Sequence, residues 1–434
     1  MVVVGSEPFI FDINYLFGDK LDYIVEEDRT RLLELIKEYR SNIFVCSESN
    51  SSIDKLIKES GYQHKIDYYL VSDLAMILDS VYPVQNGLLA SEIFMKLYSA
   101  PHGKYLPCVK ALYSAEIDKT GNVFACCSAW QKYSMGNVMK EGLYKSWNSF
   151  FAKVLRLSTL NGTLCFCETG KCANAIKTID PIEYRKRNAT AWPHELNAAI
   201  DDTCNLCCRF CRNQMIVLQK EEQETRIKIL KAIKKDLKNI SNLYIAGNGE
   251  VFLSKIYGSL LNDVPANCNL TLVTNGLLYE SKVVQELSKR TRSVSVYVSI
   301  DAARSDTYEY LRRKGSFDLL CKKLELIKLE RSLGIIKQLV FRFVVQRRNY
   351  LEMIDFIKFG KKYLADYVDF IRLVNSGTEY TEQFSECSLL DGKGELRSEY
   401  KDWFKQPIFR DKYVHIDPAF IEMQQEREGD WRVY

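Results

Sequence analysis

Neither sign of charge dominates this 434-residue chain: Lys and Arg number 60 against 56 Asp and Glu, a formal net charge of +4, with no long run of either sign. That removes the electrostatic footprint by which a nucleic-acid binder is read. No apolar run reaches the roughly 18 residues that span a bilayer. Residues 1–12 carry no basic region followed by an apolar stretch and a small-residue cleavage site. The expectation is a soluble, cytoplasmic protein with no nucleic-acid and no membrane partner. Histidine is scarce too: the four are His64, His102, His194 and His415, none in a motif with a partner, which discourages histidine-based catalysis. Internal repeats and low-complexity linkers are absent.

The composition, 47% hydrophobic and 12% aromatic, supports a sizeable core, and the length suggests two or three domains. What stands out is 14 cysteines. Without an export signal they read as reduced thiols or metal ligands rather than disulfides. Ten lie in two knots, Cys108 to Cys172 and Cys204 to Cys211, while Cys46, Cys268, Cys321 and Cys387 are scattered as small core residues. Thiolate is a soft ligand for zinc, copper(I) or iron–sulfur clusters, so two dense knots imply metal.

Hydrophobic periodicity divides the chain into an α/β domain at 1–95, a Cys-rich module at 100–180, a barrel at 190–385 and an extension at 386–434. In the first, apolar runs at 9–13, 42–46 and 66–71 alternate with amphipathic stretches at 31–39 and 52–60, a small βαβαβ layout. It lacks GxGxxG and GxxxxGK[ST] loops, which favours a scaffold or docking role over nucleotide binding. The module has short hydrophobic pieces and one helical stretch at 143–160, too little core to stand without a staple. In the third region, apolar runs at 196–200, 243–246, 270–273, 294–300, 339–345 and 368–373 are separated by helical patterns at 224–240, 281–289, 317–333 and 350–364. Six strands with helical crossovers predict a partial (β/α)6 TIM-like barrel. The tail aromatics Trp403, Phe404, Phe409, Tyr413 and Trp431 are spaced as packing residues.

Parallel barrels collect their reactive groups at the carboxyl ends of the strands. Those places hold Asp201-Asp-Thr-Cys-Asn-Leu-Cys-Cys-Arg-Phe-Cys211, Gly247-Asn-Gly-Glu250, Thr274-Asn-Gly276, Ser299-Ile-Asp301 and Gln346-Arg-Arg-Asn349. Cys204, Cys208 and Cys211 give three thiolates where a four-iron cluster ordinarily takes four protein ligands, leaving one iron to a small molecule. A structural zinc site wants paired CxxC units, which this register fits poorly. CxxxCxxC after the first strand, with Phe210 before the last cysteine, resembles the signature of the radical S-adenosylmethionine (radical SAM) superfamily; Cys207 falls out of register.

That resemblance extends to the neighbouring strings. Gly249 and Glu250 look like the family's glycine–glutamate motif, whose carboxylate faces the cofactor's ammonium group and whose glycines let the backbone approach, with Val251 in place of the usual proline. Ser299, with the later Arg312, resembles the serine and arginine that meet the cofactor's ribose and carboxylate. Thr274-Asn-Gly276 and Asn349 are weaker matches. The resemblance implies a [4Fe–4S] cluster, reductive cleavage of S-adenosylmethionine and hydrogen abstraction by a 5′-deoxyadenosyl radical, with the cofactor carrying the difficult chemistry. No residue in these strings stands out as a general base.

In the module, Cys108, twelve residues, Gly121, four residues and Cys126 form a spaced unit around a predicted hairpin at 117–124, and Cys165, Cys167 and Cys172 follow as CxCx4C. With Met135-Gly-Asn137 and Trp147, this resembles the auxiliary-cluster modules called SPASM and Twitch, placed before the barrel rather than after it. The resemblance implies one auxiliary [4Fe–4S] cluster on Cys108, Cys126, Cys165, Cys167 and Cys172; a zinc ribbon stays open as the alternative. The expected activity is modification of a peptide or a carbohydrate-like metabolite by crosslinking, epimerisation or oxidation, with electrons from a flavodoxin- or ferredoxin-like donor. The non-enzymatic alternatives are an iron–sulfur carrier or assembly protein and a zinc-stapled binding protein.

Overall fold

The computed structural model describes residues 2–4, 15–16, 22–24, 43–45, 58, 68–69, 71–172, 175, 189–212, 214–246, 249–375 and 381–421. It divides into two compact units, Met1–Ala115 with Asn122–Pro193, and Glu116–Gly121 with His194–Tyr434.

In the first unit, four short strands, Asp22–Ile24, Val2–Val4, Ile43–Val45 and Tyr68–Tyr69, pair in that order, all parallel. The last two fall in the predicted runs at 42–46 and 66–71, whereas Val2–Val4 and Asp22–Ile24 lie outside the apolar runs that predict strands. The run at 9–13 and the amphipathic stretches at 31–39 and 52–60 lie outside the described residues, apart from Lys58.

The Cys-rich segment departs from expectation in one helix. In place of a single helical stretch at 143–160 there are two, Gly142–Trp147 and Phe150–Leu160. Asn148 ends the first and Ser149 caps the second, its hydroxyl accepting from the Ala152 N–H, which satisfies one of the orphan donors of a helix start. Trp147 is fully buried and donates its indole N–H to Thr190 O at 2.8 Å. Arg156, also buried, stacks its guanidinium 3.9 Å from the centre of the Trp147 ring and donates to Ala111 O and Trp147 O at 3.0 and 2.7 Å. Burial pushes Arg156 down to about 10, so the two carbonyls and the indole face are what hold its charge in the core.

The second unit is built on seven parallel strands: β1 (Glu195–Ala199), β2 (Asn242–Ile245), β3 (Asn269–Thr274), β4 (Ser293–Ser299), β5 (Gln338–Val345), β6 (Tyr367–Arg372) and β7 (Val414–Ile416). They are ordered as in the chain. The first six coincide with the predicted six to within about two residues at each end. Helices Lys220–Ile233, Ser281–Arg290, Phe317–Ser332 and Met353–Lys362 form the expected crossovers. The seventh strand arises in the tail, where three residues carry no legible period.

Alternation along the strands sets the two faces of the sheet. On β5, Leu339, Phe341, Phe343 and Val345 are buried, and Phe343 packs against Phe356 of the following helix and Phe370 of β6 at ring separations of 4.8 and 5.3 Å. On the other face Tyr297, Arg342 and Asp369 meet, with Arg342 Nε 3.2 Å from Asp369 Oδ2, beside the apolar Val340 and Val344 of β5. Because the strands all run parallel, their carboxyl ends lie along one edge of the sheet, and a cavity opens there.

Candidate active site

That cavity, about 440 Å³, is lined from the ends of all of β1 to β6: Cys204, Phe210, Gly249, Glu250, Thr274, Ser299, Asp301, Arg312, Gln346 and Arg372 among others. Its volume lies within the range of small-molecule sites.

The cysteine loop begins at Asp201, whose carboxylate accepts from Thr203 N–H and hydroxyl at 2.9 and 2.8 Å and from the Ser254 hydroxyl. Its carbonyl takes the Tyr257 hydroxyl at 3.0 Å. Further along, Cys207 N–H and Arg209 N–H donate to Arg313 O and Leu311 O at 3.2 and 2.9 Å, and Cys211 N–H turns back onto Cys208 O at 3.0 Å. The loop is thus pinned at both ends, and the half-buried Cys204, Cys208 and Cys211 all line the cavity with Phe210. Cys207 is 4% exposed and does not.

Gly249 owes its place to that loop. A Cβ there would lie 2.6 Å from Asp201 O and 3.0 Å from Thr203 O, so the close approach that glycine permits is made to the cysteine loop's backbone. Gly247 and Asn248 lie outside the described residues. Glu250, 1% exposed, accepts from the Thr274 hydroxyl at 2.6 Å, Asn275 N–H at 2.7 Å and Phe252 N–H at 3.3 Å. A carboxylate offers about four acceptor positions, so one remains. Burial raises the Glu250 pKa, and these bonds and Arg312 oppose the rise. Thr274-Asn-Gly276 therefore serves as the cradle of Glu250, and Gly276, at φ +82° with Leu320 Cδ1 2.8 Å from where a Cβ would sit, makes its turn.

Ser299 lines the cavity at the end of β4. Asp301, at φ +69°, accepts from Val344 N–H at 2.8 Å and pairs with Arg312 Nη2 at 2.7 Å. Arg312 Nη1 lies 3.9 Å from Cys208 Sγ, while its buried Nε has no partner among the described residues. Asn349 is fully buried behind the wall, donating to Asp301 O and Val344 O at 2.8 and 2.9 Å.

Among the polar lining residues, Arg212, Gln346 and Arg372 are not singled out by sequence. Gln346 is buried with Oε1 unpartnered among the described residues. Arg372, on β6, is clamped by Asp417 through bonds of 2.7 and 2.5 Å. Gln346 stood in a string read only for Asn349; the Arg372 partner is 45 residues away, beyond any local spacing rule.

Burial raises the Cys204 and Cys208 thiols, Cys208 up to about 11, with Arg212 and Arg312 respectively pulling the other way. Thiols so placed need incoming positive charge to ionise, and a metal supplies it. Among the described residues no three Cys, His, Asp or Glu side chains converge on one ion. Three thiols on one wall with open space beside them are the donor set of a cluster that leaves one iron to a small molecule.

In the first unit, Cys108, Cys126, Cys167 and Cys172 surround a cavity of only about 30 Å³ with Trp130, Gln131, Thr159 and Leu164. Burial raises Cys108, Cys126 (up to about 12) and Cys167, and the neighbouring thiols add to it: Cys172 at Cys108, Cys108 and Cys172 at Cys126, and Cys108, Cys172, Cys126 and Cys165 at Cys167. Cys165 is not on this wall; its neighbours are Thr163, Ser158 and Lys96, and burial raises it to about 11.

Residues 200–360 match the radical SAM superfamily and residues 100–173 the iron–sulfur cluster-binding domain SPASM. The chain thus carries a radical SAM domain with a SPASM module amino-terminal to it, and this pairing implies [4Fe–4S] clusters and S-adenosylmethionine as cofactors. The mycofactocin maturase MftC of Mycobacterium tuberculosis is 26% identical over 164 residues, 37% of this chain and 40% of the relative. The chain therefore matches less than half the length of its curated relatives. Among solved structures, Streptococcus suis SuiB bound to precursor peptide SuiA matches 42% of this chain and 40% of its own, at 18% identity and TM-score 0.33. The anSMEcpe structure with bound AdoMet and Kp18Cys peptide matches 42% and 51%, at 17% identity and TM-score 0.32.

Proposed function

We propose that this protein is an enzyme that reductively cleaves S-adenosylmethionine and abstracts a hydrogen atom from a peptide. The observation that carries this reading is one cavity whose wall holds three thiols, a buried carboxylate with one acceptor position left and a buried arginine with an unpartnered Nε.

Cys204, Cys208 and Cys211 hold the cluster. Glu250 accepts from the cofactor's ammonium group, Arg312 Nε donates to its carboxylate, Ser299 meets its ribose, and Phe210 and Gly249 complete the wall against it. The chemistry that the bound cluster and cofactor supply is homolysis of the sulfonium to methionine and a 5′-deoxyadenosyl radical, which takes hydrogen from substrate. Excluding water from that event falls to the buried surroundings, and positioning to Asp301, which holds Arg312 from behind.

In the SPASM module, Cys108, Cys126, Cys167 and Cys172 hold one auxiliary [4Fe–4S] cluster. A flavodoxin- or ferredoxin-like donor supplies electrons, in the cytoplasm, where thiols stay reduced; among the described residues no helix is long and apolar enough to cross a membrane.

The peptide is favoured by the SPASM module, whose bearers often modify peptides or proteins, and by the maturase name of the curated relative. One observation favours a small molecule instead: the amino-terminal strands form a parallel sheet, unlike the winged-helix element that binds leaders in many peptide-modifying relatives. The test is to incubate reconstituted, dithionite-reduced protein with S-adenosylmethionine and quantify 5′-deoxyadenosine, with and without peptides encoded beside the gene. A verified cluster that yields no 5′-deoxyadenosine under either condition overturns the enzyme reading. Turnover without a mass change in any peptide overturns the substrate.

A further inference from the structure

Arg212 follows the last cysteine of the loop and is 8% exposed. Its Nε and Nη2 lie 3.3 and 3.2 Å from Cys211 Sγ, and its Nη1 donates to Asp202 O at 2.6 Å. The backbone fixes it further: Arg212 N–H donates to Cys208 O at 3.1 Å, and Arg212 O accepts from Arg313 Nη2 at 3.0 Å. One edge of the guanidinium fork is thus set on a sulfur and the other on a carbonyl, a rigid two-donor geometry peculiar to arginine.

The three sulfurs are not treated alike. Cys208 has Arg312 Nη1 at the longer distance of 3.9 Å, and the charge of Arg312 is already paired with Asp301 at 2.7 Å. Cys204 takes a backbone N–H, that of Leu206. Among the described residues, Cys211 alone of the three carries a two-pronged cationic donor.

We propose that Arg212 raises the reduction potential of the cluster held by Cys204, Cys208 and Cys211, through its two N–H···S bonds to Cys211; this rests on the cluster assignment above. Three thiolates on a cluster core of charge 2+ give a net charge of −1, and one-electron reduction takes it to −2. A fixed cation a hydrogen bond away stabilises the more negative state more, and the N–H donors draw density from the sulfur in the same sense. The electron enters with no proton or bond change at Arg212. The consequence is a cluster that a weaker physiological donor can reduce.

The test uses the full-length reconstituted protein, titrated with dithionite and followed by electron paramagnetic resonance on the signal that changes when S-adenosylmethionine is added, which separates the open-iron cluster from an auxiliary one. The expected order of midpoint potentials is wild type, then Arg212→Lys, then Arg212→Gln, falling as charge and donors are lost, with iron content maintained. A Gln variant with full iron and the wild-type midpoint overturns the proposal. Should the Gln variant lose iron, the Lys variant is decisive: a lowered midpoint supports the proposal, an unchanged one overturns it. Loss of iron from both overturns it in favour of a bracing role through Asp202 O. Failure of the underlying assignment looks different: the wild type itself shows no signal that responds to S-adenosylmethionine.

Discussion

The two thiol sites of this protein differ in what they leave open. In the barrel, three cysteines stand on the wall of a cavity of about 440 Å³ that also holds Glu250, Ser299 and Arg312. In the module, four cysteines close around about 30 Å³ with Lys110, Ala111, Trp130, Gln131, Thr159 and Leu164. A complete ligand set with no room beside it can store or pass an electron; an incomplete set beside a polar cavity can bind a small molecule at the metal. The number of thiols and the volume next to them vary together, and that covariation separates a reactive site from a supporting one.

The sharpest way to break this contrast is to remove one thiol from each. Cys208→Ala should abolish 5′-deoxyadenosine formation and leave about four irons per chain, and Cys126→Ala should also leave about four but retain the signal that responds to S-adenosylmethionine. Iron analysis with product quantification decides, and 5′-deoxyadenosine from the Cys208 variant would refute the open-site assignment.

Much of this contrast was legible in the sequence, and the illegible part has a physical cause. The six barrel strands emerged because each is a short apolar run set between stretches of helical period. Cys204, Cys208 and Cys211 could be read from one loop because all three thiols are local. The cysteines around the module's cavity come from three separate segments, so spacing could nominate Cys165 beside Cys167 but could not say which side chain faces the cavity. The same limit hid Arg372, whose partner Asp417 comes from the far side of a seventh strand too short to show a period. Gly249 was found for a partly different reason than the one that holds it: the carbonyls of Asp201 and Thr203 leave no space for a Cβ.

Support for the closed site should be more sensitive to packing than support for the open one. Arg156→Met removes the donors to Ala111 O and Trp147 O and the stack on Trp147. Two buried carbonyls left unsatisfied and a lost cation–π contact should cost about 2–4 kcal/mol. Thermal unfolding of the full chain should show the module's transition moving down, with auxiliary iron lost first; an unmoved transition would mean that the Trp147–Arg156 pair is not its keystone.

At the open site the comparable substitution should act on binding instead. Glu250→Gln keeps the size and part of the hydrogen bonding to Thr274 and Asn275 but removes the charge facing the cofactor's ammonium group. A charge-assisted hydrogen bond is worth about 1.5–3 kcal/mol, so affinity for S-adenosylmethionine should fall roughly 10- to 100-fold, with iron content unchanged. Equilibrium binding checks it, and an unaltered affinity would remove Glu250 from the cofactor site.

The smallest expected effect tests how the closed site is drawn. Cys165 and Cys167 are separated by one residue, yet Cys167 shares its cavity with Cys108, Cys126 and Cys172, while Cys165 sits among Thr163, Ser158 and Lys96. If the auxiliary cluster takes the four thiols of the cavity, Cys165 contributes only packing, and its replacement by a hydroxyl of nearly the same shape, beside two hydroxyl-bearing neighbours, should shift stability by less than about 1 kcal/mol. Cys165→Ser should therefore keep wild-type iron, sulfide and visible absorption, whereas Cys167→Ser should lose the auxiliary share of all three. Loss of that share in the Cys165 variant would move the ligand boundary by two residues and require the segment after Leu164 to turn the other way around the metal.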